Sequence, residues 1–187
     1  MTKLIIFTGT PGSGKSTVLA ELANKGVKVV NLGSEMLKVA QRKGVTDRDK
    51  LRYMDDHDIT EVREEALSRI MSHSRNAIID THSSVKQGRR YVPGFSMKEL
   101  GHMDVDAIIY VDASSDDIIK RRMSDTTRKR EIEGPSEIDE QRSINLAIIS
   151  TIALHLNIPI YILYNRDGMA KDVAEQVKTI TKEIFGE

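Results

Sequence analysis

The chain has 187 residues, of which 39% are hydrophobic and 30% charged, and its formal net charge is zero. This is the make-up of one folded domain rather than a disordered segment, and the charge balance gives no global attraction to nucleic acid or an anionic membrane. With no cysteine, disulfides, thiol nucleophiles and cysteine zinc sites are excluded together, and a cytoplasmic protein is the expectation.

The first predicted element is a strand over 3–8, KLIIFT, an apolar run too short for a signal peptide. Directly after it comes Gly9-Thr10-Pro11-Gly12-Ser13-Gly14-Lys15-Ser16, followed by Thr17. This stretch fills every fixed position of G-x-x-x-x-G-K-[ST], and a helix is predicted to start at Lys15 or Ser16. A strand, a bare loop and a helix in that order predict a phosphate cradle. The glycines let backbone N–H groups converge on an anion, and the helix amino end adds positive potential. Lys15 then serves the β and γ phosphates, and Ser16 offers a hydroxyl to Mg2+. A glycine-rich turn with a solvated lysine is the plainer alternative, and the flanking elements disfavour it.

A strand at 27–31 leads to a helix at 34–43 with Met36, Leu37 and Ala40 on one face. The stretch 43–58 is highly charged and longer than a plain connection needs, which suggests a segment placed over a ligand. A helix over 59–73 carries Ile59, Val62, Ala66, Ile70 and Met71. The strand 76–80, NAIID, ends in Asp80, the form of an acid that holds Mg2+ directly or through water; an aspartate capping the next turn is the alternative. The strand 106–111 runs into Asp112 in the same form and is a weaker candidate. Ser114 or Ser115 caps a helix near 115–123, with Asp116 and Asp117 in its first turn.

The stretch 120–136, KRRMSDTTRKREIEGPS, is a second charged segment of the ligand-covering kind. A long helix over 137–156 and a strand over 158–163 follow. The apolar run 144–163 is broken by Asn145, Ser150, Thr151, His155, Asn157 and Pro159, so it reads as buried helix and strand and not as a membrane span. A last helix, 169–184, places Met169, Val173, Val177, Ile180 and Ile184 at helical spacing. The strands are nearly unbroken apolar runs, as in a sheet covered on both faces, and they alternate with helices. The predicted fold is α/β: a three-layer α/β/α P-loop NTPase domain spanning 1–187, with a five-stranded parallel sheet that binds ligands at the carboxyl ends of its strands.

The arginines narrow the chemistry. Arg121, Arg122, Arg128 and Arg130 cluster in one charged segment, with Arg142 beyond; Arg48 and Arg52 lie in the other, and Arg89 and Arg90 follow Asp80. A hydroxyl acceptor needs a base, whereas a monophosphate is already ionised and needs cations to bring two anions together. Bidentate arginines suit that task. The five histidines show no metal spacing; His82 lies at the active edge, and His155 reads as a core or interface residue. With 4% aromatic residues, the basic stretch 120–130 is a poor nucleic-acid patch.

The chain resembles the archaeal-type adenylate kinases. The matching stretches are GTPGSGKST (9–17), NLGSEML (31–37), DRDKLR (47–52), IIDTHSSVK (78–86), YVPGF (91–95), DTTRKR (125–130) and ILYNRDG (162–168), in the right order over most of the chain. The resemblance implies ATP + AMP ⇌ 2 ADP with Mg2+, a helical monophosphate-binding insertion over 33–72 and a short lid over 121–137. It implies that residues 9–17, with Asn165 and Gly168 near the adenine, hold ATP. Gly33, Arg52, Thr81 and His82 would surround AMP. Lys15, Arg121, Arg128 and Arg130 would act on the phosphates, and Ser16 and Asp80 on the metal. A homotrimer is also implied. Departures from the family pattern are Leu32, Ser34, Asp167 and Val92-Pro93-Gly94, and Ile148 stands near where a further arginine is expected, with Arg142 the nearest substitute. A kinase for another monophosphate or small metabolite, and a P-loop ATPase or RNA-associated switch, remain the alternatives.

Overall fold

Side-chain alternation along the first strand sets the architecture. Leu4 and Ile6 point into one apolar cluster and Ile5 and Phe7 into another, all four at 0–1% exposure, so both faces of that strand are covered. A computed structural model describes residues 3–23, 27–47, 50–51, 54–73, 76–101, 103–125 and 133–186. In chain order its elements are β1 (Lys3–Gly9), α1 (Lys15–Ala23), β2 (Val29–Asn31), α2 (Leu32–Ala40), a 3-10 turn (Gln41–Lys43), α3 (Asp56–His73), β3 (Asn76–Asp80), β4 (Ser84–Gln87), β5 (Arg90–Pro93), α4 (Met97–Leu100), β6 (Val105–Asp112), α5 (Ser115–Ser124), α6 (Pro135–Leu156), β7 (Ile160–Tyr164) and α7 (Ala170–Phe185).

Five strands form one sheet in the order β2-β3-β1-β6-β7, every pair parallel. Helices α1 and α7 cover the Ile5/Phe7 face through Val18, Leu22, Val173 and Val177. Helices α2, α3 and α6 cover the other through Met36, Val39, Val62, Ala66, Ile149 and Ile152. Register pairs Phe7 and Asn31 each with Asp80, Gly9 with Val111, and Asp112 with Tyr164. The carboxyl ends of all five strands therefore share one edge, where open α/β sheets bind ligands.

The expected strands and helices are present with shifted ends. Helix α2 begins at Leu32, earlier than its apolar pattern suggests, because the Asn31 side chain accepts from the Ser34 backbone N–H at 2.9 Å and caps it. Gly33 thus lies in a helical first turn instead of a loop turn. Strand β7 is an edge, so Ile162 (44%) and Tyr164 (60%) stay exposed where coverage on both faces was expected. The antiparallel hairpin β4–β5 and the short α4 were not expected. The hairpin strands are short and polar, turning through Gly88 at φ 61°. For α4 the signal was available: Ser96 and Glu99 form a reciprocal capping box.

Candidate active site

The loop after β1 is held open by geometry that only glycine satisfies. Gly12 and Gly14 have φ of 96° and 86°. A Cβ on Gly14 would lie 2.2 Å from Asn165 Nδ2, and one on Gly9 would lie 2.3 Å from the Val111 carbonyl oxygen. The loop closes on itself through Ser13 N–H to the Thr10 carbonyl at 2.9 Å, and it starts α1 through Thr17 and Val18 N–H to the Gly14 carbonyl. Ser16 and Thr17 are exposed at the helix amino end. The Lys15 ammonium donates to Asp80 Oδ1, and Asn31 Nδ2 donates to Asp80 Oδ2 at 2.5 Å. The carboxyl ends of β1, β2 and β3 thus converge on one carboxylate, with Lys15 and Asp80 side chains about nine-tenths buried at 11% and 10% exposure.

Two consecutive arginines of α5 brace this loop from behind. Arg121 donates to the Ser13 carbonyl at 3.1 Å, to the Asn165 carbonyl at 2.9 Å and to Asp167 Oδ1 at 3.0 Å. Asn165 Nδ2 also donates to the Ser13 carbonyl, at 2.8 Å. Lys120 and Arg121 hold the exposed Asp167 carboxyl below the usual aspartate range by hydrogen bonding. Arg122 donates to the Pro11 carbonyl at 2.9 and 2.7 Å, to Gln141 Oε1 at 2.9 Å and to Glu133. Beneath the loop, Thr10 Oγ1 shares a hydrogen bond with Tyr110 Oη at 2.7 Å and accepts from Asn145 Nδ2 at 3.2 Å, while Asn145 Oδ1 accepts from Ser84 Oγ at 2.6 Å. Burial pushes the Tyr110 phenol up.

Arg142 is not available to phosphates in this arrangement. Its Nε and Nη2 donate to the two oxygens of Asp112 at 2.9 and 2.7 Å, and Nη1 donates to Asp139 at 2.8 Å. It therefore does not replace the arginine expected near Ile148, and Asp112 is the partner of an arginine fork.

The wall opposite the loop is built from the segment leaving β3. Thr81 N–H donates to the Phe7 carbonyl at 3.0 Å, fixing its path beside β1. His82 follows and is half-buried. Gly94 N–H donates to the Ser83 carbonyl at 2.9 Å, and a Cβ at Gly94 would meet the His82 carbonyl oxygen at 1.7 Å, so the hairpin returns against the strand end only with glycine there. Lys86 of β4 donates to Glu133 Oε1 at 2.5 Å. Ile59, Thr60 and Arg63 of α3 face Tyr91, Val92 and Phe95 across a cleft of about 270 Å³. Arg63 is fixed there by Glu99, whose side chain is fully buried, at 3.0 Å.

The structure thus brings together Gly9 to Thr17, Asp80, Thr81, Asn165 and Arg121. Gly168 is exposed in the turn after Asp167 with φ 78°, and Gly33 lies in the first turn of α2, after its cap Asn31 and Leu32. Arg52, Arg128 and Arg130 lie outside the described residues, as do Arg48 and His102. His155 is exposed, which removes the core reading of that residue. Sequence reasoning missed Asn31, Glu133, Gln141 and Asn145. Of these, Asn145 carried a signal, a polar side chain inside the apolar run that starts at Ile144, and the structure buries it together with Gln141. Among the described residues no helix is long and apolar enough to cross a membrane.

Comparison with known proteins agrees with this geometry. Residues 8–139 match the AAA domain family. An adenylate kinase of Methanocaldococcus jannaschii is 30% identical over 96% of this chain and 98% of its own length. One from Methanococcus aeolicus is 31% identical with the same coverage. Among solved structures, a shikimate kinase from Acinetobacter baumannii in complex with shikimate superposes with a TM-score of 0.60 at 16% identity, covering 98% of this chain and 94% of that one, a likeness of fold alone.

Proposed function

This chain belongs to the adenylate kinase family, and we propose that its site transfers the γ-phosphoryl group of ATP to AMP, reversibly, giving two ADP. The observation that carries this reading is the closed phosphate loop with Lys15 set against Asp80, at the same sheet edge as the wall that leaves β3. ATP lies along residues 9–17 with its adenine toward Asn165 and Gly168. AMP lies under the segment 33–72, between Gly33, Arg52, Thr81 and His82. An AMP phosphate oxygen attacks the γ phosphorus in line, the bond to the bridging oxygen breaks, and ADP leaves. The attacking oxygen is ionised beforehand, so no protein base is required. Backbone N–H groups of the loop and Lys15 stabilise the charge that spreads over the transferring group. Arg128 and Arg130 add cations from the segment 121–137. Arg121, bonded to both the loop and Asn165, orients the ATP side.

The donor set fits a hard cation: the exposed Ser16 hydroxyl and the Asp80 carboxylate are both oxygen ligands, and Asp80 keeps acceptor capacity beyond its bonds to Lys15 and Asn31. Mg2+ bound there with the nucleotide supplies charge neutralisation of the phosphates. A homotrimer in the cytoplasm completes the reading, and the exposed Leu154, Ile162 and Tyr164 on α6 and β7 offer apolar surface for such an assembly. The test is ADP formation from Mg-ATP with AMP, GMP, CMP, UMP, dTMP or no acceptor. ADP formed with AMP alone supports the proposal. Activity with another monophosphate moves the base preference, and slow ADP release indifferent to acceptor makes the protein an ATPase or switch.

A further inference from the structure

Two chains of contacts run from the phosphate loop to the first strand of the hairpin. The lower one is Thr10 to Asn145 to Ser84, at 3.2 and 2.6 Å. The upper one is Pro11 to Arg122 to Glu133 to Lys86. Residues 10 and 11 are adjacent in the loop, and residues 84 and 86 share one face of β4. Between them stands α6, whose buried Gln141 and Asn145, one turn apart, serve the upper and lower chains respectively. The lower chain uses neutral side chains already committed to the core. The upper chain turns on a single carboxylate: Glu133 receives Arg122 on Oε2 and Lys86 on Oε1, with side-chain exposures of 9% for Arg122, 24% for Lys86 and 12% for Glu133.

We propose that Glu133 is a positioning residue that couples the ATP side of the site to its acceptor side, holding Arg122 against the Pro11 carbonyl and Lys86 of the hairpin with the same carboxylate. The proposal rests on reading the hairpin as the acceptor wall. A loop carbonyl drawn backward by Arg122 leaves the opposite face of that peptide, with its neighbouring N–H groups, turned toward phosphate. The Lys86 ammonium, also 5.7 Å from the Tyr91 ring centroid, ties down the strand that carries Tyr91 into the cleft with α3. Burial alone would raise the Glu133 carboxyl, but its hydrogen bonds to Lys86 and Arg122 outweigh this and hold it below the usual glutamate value. Tyr91 and Glu140 are the other titratable groups about this cluster, and the tyrosine phenol is pushed up chiefly by burial.

The test uses the full chain with Glu133→Gln, Glu133→Asp and Lys86→Met, each checked by thermal melting. Initial rates are read with ATP varied at saturating AMP and the reverse, and ATP affinity is read by calorimetry without acceptor. Glu133→Gln is expected to raise KM for ATP and for AMP by about tenfold each while kcat falls less than about threefold, the pattern of lost ground-state positioning. Glu133→Asp is expected to recover most of both. Lys86→Met is expected to raise KM for AMP more than KM for ATP. A merely structural glutamate would lower the active fraction, and so kcat, with both KM values unchanged; that outcome, or KM values within twofold of wild type, overturns the proposal. The calorimetry separates the two readings. If no monophosphate is phosphorylated yet Glu133→Gln still weakens ATP about tenfold, the activity is wrong and the bracing of the loop stands, with its acceptor half overturned.

Discussion

Strands β3 and β6 end alike and are used differently. Ile78-Ile79-Asp80 and Tyr110-Val111-Asp112 are both apolar runs closing on a buried aspartate at the same sheet edge, and each aspartate meets one cation. Asp80 meets Lys15, a point charge on a flexible stem rooted in the phosphate loop, while Asn31 Nδ2 donates to its other oxygen. Asp112 meets Arg142, whose planar fork takes both carboxylate oxygens while a third nitrogen is held by Asp139. A lysine on a mobile stem can exchange one anion for another; a bidentate guanidinium pinned at three points cannot do so without leaving a 2%-exposed carboxylate unpaired. On the proposed reading the working pair is the loosely held one, and the rigid pair fixes α6 to the sheet.

The comparison is broken or sharpened by substitution. The largest effect is expected for Lys15→Ala: a fall in kcat/KM of at least about a hundredfold per folded molecule with the fold retained, measured by coupled ADP assay and calorimetry. A rate within threefold of wild type would remove Lys15 from the chemistry. Next comes Asp112→Asn, expected to destabilise by about 1–3 kcal/mol while activity per folded molecule stays within about threefold. The opposite result, lost activity at unchanged stability, would exchange the roles of Asp112 and Asp80. A smaller effect is expected from pH. The folded-state Glu133 carboxyl lies below its ordinary value of 4.5. Its contribution is therefore complete above that value and is lost as pH falls through the folded value. Melting curves of wild type and Glu133→Gln should converge as pH drops below about 4.5, with Lys86, Arg122, Tyr91 and Glu140 common to both. The smallest effect is expected for Arg42→Ala, which removes an exposed ion pair to Glu65 and should move the melting temperature by no more than about 2 °C.

What could be read from the sequence was what is written locally. The loop 9–17 declares itself because its glycines, lysine and hydroxyls are contiguous and its flanking strand and helix are strongly patterned. The parallel sheet was legible for the same reason, and so was the place of Asp80 at the end of its strand. Asp112 was already the weaker candidate there, but its engagement by Arg142, thirty residues downstream, was not legible. The bracing role of Arg121 and Arg122 was hidden likewise: their partners Ser13, Asn165, Pro11 and Glu133 are scattered, so an arginine-rich stretch reads the same whether its charges face phosphate or backbone carbonyls. The hairpin escaped notice because its strands are four residues each and polar, and long-range contacts place it.

The Lys15–Asp80 pair also bears on selectivity. Lys15 carries its own counterion, tethered through the fold and so present at high effective concentration. A chloride or sulfate ion offers one contact and must displace that tethered carboxylate alone. A triphosphate engages the loop N–H groups at several points and so gains from many contacts what it loses in parting one. On the proposed reading the internal aspartate sets a threshold, which a polyphosphate with several contacts to the loop meets better than a simple anion with one.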